Sequence, residues 1–101
     1  MYDLSGFQRD LLYVIHGMGR PSGQELKEEL EEYYHEEINH GRLYPNLDTL
    51  VDKQLVRKGQ IDRRTNYYQI TEEGIDELYE RRKWEYRYFP LTESRQGRGT
   101  D

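Results

Sequence analysis

The sequence contains no cysteine, which excludes disulfide bonds, thiolate chemistry and a cysteine zinc site as means of holding the fold together. No apolar run approaches membrane-spanning length, and the N-terminus has no basic stretch followed by a hydrophobic one. A cytoplasmic location without a membrane partner is therefore expected. No serine or threonine stands in a nucleophile motif and no glycine loop resembles a phosphate cradle, so neither an enzyme, nor a cofactor, nor a small-molecule ligand is expected. The nearest approach to a metal motif is His35-Glu36-Glu37-Ile38-Asn39-His40. Its histidines stand five apart, where a zinc-protease helix needs four, and so fall on different helical faces. They read as solvated histidines at a helix end, and no metal site is expected.

Apolar residues are scarce too, 34% against 35% charged, a balance that would signal disorder if the apolar residues were not so regularly spaced. The spacing decides for a folded domain. At 101 residues it reads as one small domain with a thin core, which is expected to gain stability from a partner.

The net charge of -5 and an isoelectric point near 5.2 argue against a nucleic-acid binder if only the total is read. The distribution reverses that argument. Residues 1–39 carry three Lys or Arg against nine Asp or Glu, residues 40–70 six against three, and residues 71–101 six against eight. A focused basic patch on a repelling body favours one docking orientation on DNA over non-specific coating.

That basic third holds the stretch around which the chain is organised, Gly41-Arg42-Leu43-Tyr44-Pro45-Asn46-Leu47-Asp48-Thr49-Leu50-Val51. Leu43, Leu47, Leu50 and Val51 recur at the spacing of one buried helical stripe. The opposite edge carries Arg42, Tyr44, Asn46 and Thr49. Arg and Asn can each pair with a base edge, Thr can touch a thymine methyl and Tyr can reach a phosphate, which makes this a DNA-reading face. Pro45 has no N–H to give and is harmless only near the helix start, so the helix is expected to begin with Gly41 as N-cap, not at the better capping residue Asn39.

Upstream, Ser5 with Gln8 is a capping-box pattern opening a first helix with Phe7, Leu11, Leu12, Val14, Ile15 and Met18 inward, ending near Gly17. Gly19-Arg20-Pro21 breaks the chain, and Ser22 with Glu25 opens a second helix with Leu26, Leu30 and Tyr33 on one face. Its other face, Lys27, Glu28, Glu29, Glu31 and Glu32, is a solvated surface. Downstream, residues 55–61 and 66–70 read as two strands with Val56, Tyr68 and Ile70 inward and Arg57 and Tyr67 pointing the other way. The polar turn Asp62-Arg63-Arg64-Thr65 joins them.

Thr71 caps a final helix over 71–89, with Glu72 and Glu73 at its positive end and Pro90 stopping it. Residues 91–101 read as a disordered tail. At about 100° per residue, Ile75, Leu78, Tyr79, Tyr86 and Phe89 share one side of that helix, while Trp84 and Tyr88 lie nearly opposite. One small core cannot serve two aromatic faces, so a homodimer built through Leu78, Trp84 and Tyr88 is expected.

The fold class is thus α+β and mostly helical, a winged helix-turn-helix with a two-stranded wing and a C-terminal dimerisation helix over residues 1–90. Gly41-Arg42-Leu43-Tyr44-Pro45-Asn46-Leu47 with Leu50 and Leu55-Val56, followed by Tyr67-Tyr68-Gln69-Ile70-Thr71-Glu72-Glu73-Gly74, resembles the PadR-like winged-helix transcriptional regulators. The likeness is to short, acidic members found in halophilic archaea and covers roughly residues 7–88. It implies a third helix in the major groove of double-stranded DNA, a wing beside it and a final helix that builds a homodimer. Longer members have several helices beyond the wing where this chain has one, which removes the basis for an effector pocket. Composition fits a salt-rich cell, with Arg outnumbering Lys by 11 to four and acids exceeding bases.

DNA contacts are therefore expected at Arg42, Tyr44, Asn46, Thr49, Arg63, Arg64 and Tyr67. The function expected is a sequence-specific, homodimeric repressor that occludes a promoter. The alternative is a winged-helix module that binds another protein, for which the acidic body speaks.

Overall fold

Two capping boxes place the first two helices. In the computed structural model, which describes residues 1–91, Ser5 Oγ accepts from Gln8 N and Ser5 N donates to Gln8 Oε1, both at 3.1 Å. Helix α1 then runs Gly6–Met18. Ser22 and Glu25 repeat the arrangement at 3.1 and 2.9 Å, opening α2 over Gly23–Tyr34. Each box satisfies two N–H groups that a helix start would otherwise leave unpaired.

Helix α3 spans His40–Asp52, and its cap is Asn39 rather than Gly41. Asn39 Oδ1 accepts from Arg42 N at 2.8 Å, a bond that glycine has no side chain to make. Pro45 consequently stands at the sixth helical position and leaves the Gly41 carbonyl without its helical donor. The cap prevails over the proline.

Strands β1 (Val56–Gln60) and β2 (Asn66–Ile70) pair antiparallel, with Val56 opposite Ile70 and Gln60 opposite Asn66. Leu55 and Ile61 fall just outside the ladder. On its other side β2 meets the α1–α2 connection, where Tyr68 N donates to Pro21 O at 2.8 Å and Ser22 bridges Tyr67. The wing is thereby fastened to the helix-turn-helix by backbone bonds.

The core gathers Leu11, Leu12 and Ile15 of α1, Leu26 and Leu30 of α2, and Leu43, Leu47 and Leu50 of α3, closed by Val56, Tyr68 and Leu78. Val14 is only half-buried and Met18 is exposed. Tyr33, expected beside Leu30, is 74% exposed. Tyr34 takes the inward place, its ring 6.1 Å from Phe7 and its hydroxyl donating to Asp10. Burial and the Asp10 carboxylate push the Tyr34 phenol up to about 12.

Helix α4 covers Glu72–Tyr88. Its cap Thr71 accepts from Gly74 N at 3.0 Å and donates to Gln54 O at 2.7 Å. The stripe expected along this helix is only partly inward: Leu78 is 7% exposed and Ile75 half-buried, while Tyr79, Tyr86 and Phe89 are 65, 47 and 67% exposed. The reason is reach, because α4 packs on α1 and β2 with its first half and every residue from 82 to 89 is exposed. The expected tail lies outside the described residues from 92 onward.

Gly74 is where α4 touches the wing root, since an added Cβ would come 2.3 Å from the backbone oxygen of Leu55. Backbone cannot step aside as a side chain can. Gly74→Ala is expected to destabilise the fold by about 1 to 3 kcal/mol, measured as a lower urea midpoint with an unchanged slope.

Candidate nucleic-acid interface

Helix α3 packs on α1, α2 and β1 through Leu43, Leu47 and Leu50. At about 100° per residue, the direction opposite that stripe belongs to Gly41, Pro45, Asp48 and Asp52, all of them exposed. The four residues expected from sequence flank this line instead of forming it. Arg42 and Asn46 lie on the α1 side. The Arg42 guanidinium stacks on Phe7 at 4.1 Å from the ring centre, near Tyr34, with Glu36 3.7 Å away.

Asn46 is half-buried; its Nδ2 donates to Arg42 O at 2.7 Å and its Oδ1 accepts from Gln8 Nε2 at 2.8 Å. One N–H and one lone pair remain, the number a bidentate contact to adenine uses. Tyr44 is half-buried on the opposite flank, over Gly23, with its ring edge-on to His40 at 5.4 Å. Thr49 is half-buried and donates to Pro45 O at 3.0 Å, so its hydroxyl is committed to its own helix.

The wing brings Arg63 and Arg64 to an exposed tip. Asp62 Oδ1 accepts from Arg64 N and Thr65 N, both at 2.9 Å. The backbone bond from Arg64 is the largest cause holding the Asp62 carboxyl below its ordinary range. The side chain shapes the turn while both guanidinium groups stay outside. Tyr67 is half-buried across Gly59, where a Cβ would meet its ring at 2.5 Å, and the Arg20 guanidinium covers it at 5.1 Å. This stack sets the wing against the α1–α2 turn.

The basic middle third is largely paired within the molecule. Lys53 bonds Asp3 at 2.9 Å, Lys58 lies 3.9 Å from Asp48, and Arg57 donates to the neutral Gln69 at 3.0 Å. Exposed pairs of this kind contribute little stability, yet they fix where charge sits. Arg63 and Arg64 have no side-chain hydrogen bond or ion pair among the described residues, which leaves the wing tip as an uncommitted positive feature of this third. Residue chemistry alone missed Asp48 and Lys58. Counting angles from Leu50 finds Asp48, whereas the placement of Lys58 depends on the strand register.

Among the described residues no three His, Asp or Glu side chains converge as a metal site, and no helix is long and apolar enough to cross a membrane. A helix-turn-helix carrying an arginine-tipped wing defines the winged-helix class of DNA-binding proteins. The model of the transcriptional regulator PadR-like family matches residues 11–80. The chain belongs to the PadR-like family of transcriptional regulators, which are DNA-binding proteins and not enzymes.

Among solved structures, RosR of H. salinarum in a complex designated S1 is 46% identical, with a TM-score of 0.86 over 98% of this chain and 88% of that one. H. salinarum RosR grown from NaBr is 47% identical, with a TM-score of 0.85 over 97% and 88%. These likenesses support the resemblance to short members from halophilic archaea. F93 from STIV, a winged-helix DNA-binding protein, shares the fold at 23% identity, with a TM-score of 0.65 over 86% and 94%. No curated protein matches the chain.

The link between Gln8 and Asn46 joins residues 38 positions apart and can be measured directly. A double-mutant cycle of Gln8→Ala with Asn46→Ala, followed by urea unfolding, is expected to give a coupling of about 0.5 to 1.5 kcal/mol. Additive losses would show that the bond contributes nothing to stability.

Proposed function

We propose that the chain acts in the cytoplasm as a homodimeric, sequence-specific repressor that occludes a promoter by placing α3 in the major groove and the wing beside it. The observation that carries the DNA contact is the outward side of α3 beside a wing tip whose Arg63 and Arg64 are uncommitted. In this reading Arg42, Asn46 and Thr49 meet base edges from one flank and Tyr44 approaches from the other. Arg63 and Arg64 meet phosphate or the minor groove, and Tyr67 supports the wing at the backbone.

The dimer rests on the second half of α4. Trp84 and Tyr88 are 48 and 67% exposed with rings 5.2 Å apart, and Arg81 stacks on Trp84 at 4.5 Å. Tyr79, Tyr86 and Phe89 share that exposure. A concentration of aromatic surface on one helix is the mark of an interface. Leu78 leaves the expected dimer set, because it lies in the chain's own core. A two-fold pair would set two reading helices about 34 Å apart, matching successive major grooves and a palindromic site.

Two measurements test this reading. Solution mass at micromolar concentration is expected to be that of a dimer for the wild type and of a monomer for Trp84→Glu with Tyr88→Glu, with loss of tight DNA binding. A monomeric wild type would sink the dimer, and a dimeric double mutant would move the interface to another face. Arg63→Ala with Arg64→Ala is expected to weaken binding to all sequences about equally and to lower the slope of affinity against salt by roughly 1 to 2. An unchanged slope would remove the wing tip from the contact.

A further inference from the structure

The outward side of α3 carries an acid well inside the helix. Gly41, Pro45 and Asp48 follow one another at offsets of four and three along that line, and of the three only Asp48 has a side chain that can hydrogen-bond. Gly41 and Pro45 add little bulk and no donor, so the helix backbone can approach the groove floor closely there. Asp52 continues the line but is the last helical residue, whereas recognition helices present their earlier residues to the bases.

An ionised carboxylate is acceptor-only. Phosphate repels it, and in the major groove it is satisfied by an exocyclic amino group, for which cytosine N4 is its usual partner. The charge is not left alone beside the duplex. Lys58 of β1 lies 3.9 Å from Asp48 Oδ1, so the wing supplies a local counter-charge, and both side chains keep substantial exposure, 61% for Asp48 and 41% for Lys58.

We infer that Asp48 is a specificity-determining residue that selects a cytosine at one position of each half-site, with Lys58 offsetting its charge. The inference deepens the proposed function and rests on its placement of α3 in the major groove. It assigns the base choice at that one position to a residue whose net electrostatic effect on DNA is repulsive, so that discrimination there comes from rejecting base edges that offer the carboxylate only acceptors. Affinity and this part of the specificity then reside in different residues: the wing arginines attract every sequence and Asp48 excludes those without a cytosine at its position.

The test is selection of binding sites from a random duplex library by the full chain as wild type, Asp48→Asn, Asp48→Ala and Lys58→Met. The wild type is expected to enrich one cytosine position per half-site that Asp48→Ala loses, with discrimination there falling about tenfold or more. Asp48→Asn, which both donates and accepts, is expected to move the preference at that position toward adenine and to leave the others unchanged. Lys58→Met is expected to keep the cytosine preference while lowering affinity for all sequences.

Identical base profiles for wild type and both Asp48 variants would overturn the inference while leaving sequence-specific binding intact. So would a Lys58→Met profile that matches Asp48→Ala, since the carboxylate would then serve only to anchor the wing. A wild type that enriches no sequence would remove the proposed function itself, and this inference with it.

Discussion

Tyr68 is the point at which the helical and sheet parts of the molecule become one structure. Its ring is 2% exposed in the core and its N–H donates to Pro21 O, while its neighbours along β2 complete the ladder to β1. Burial pushes its phenol up to about 12, so the group stays neutral across the ordinary pH range. Without this anchor the wing would be an isolated two-stranded hairpin, which is at best marginally stable in water. With it, the angle between wing and α3 is set by the same contacts that close the core.

Local rules made much of the fold legible. Ser5 with Gln8, Ser22 with Glu25 and Thr71 announce three helices through bonds spanning three residues, and alternation places Val56 and Tyr68 inward. The resemblance in the segments around Tyr44-Pro45 and Tyr67-Tyr68 supplied the family. What escaped depends on long-range contacts or on competition between two rules. The start of α3 was a contest between a cap and a proline. Tyr33 and Tyr34 are adjacent at a helix end, where periodicity cannot choose between them. Nothing local could reveal that α4 runs past its own core after residue 81, or that Asn46 is held by Gln8 across 38 positions.

Charge shows the same division. The surplus of bases over residues 40–70 is plain in the sequence, but its use is not: Arg42, Lys53 and Lys58 each face an acid in the folded chain. A linear count therefore overstates the field available to a polyanion. In an acidic body this restraint suppresses indiscriminate association, and in the proposed reading the wing tip supplies the attraction.

The seating of Gly74 on Leu55 O gives α4 a mechanical property. The same junction carries Thr71 N to Leu55 O at 3.0 Å and the Thr71 hydroxyl to Gln54 O, at the bend where α3 becomes β1. Contacts between backbones have no rotamers with which to absorb a displacement. A helix of 17 residues, roughly 25 Å long, is thus seated at one end on the bend between α3 and β1, while residues 82–89 are exposed at the other. Beyond Gly74, Leu78 sits in the core and Glu77 accepts from the Met1 N-terminus, so the first half of α4 holds the bend between α3 and β1 in one setting relative to the projecting aromatic end.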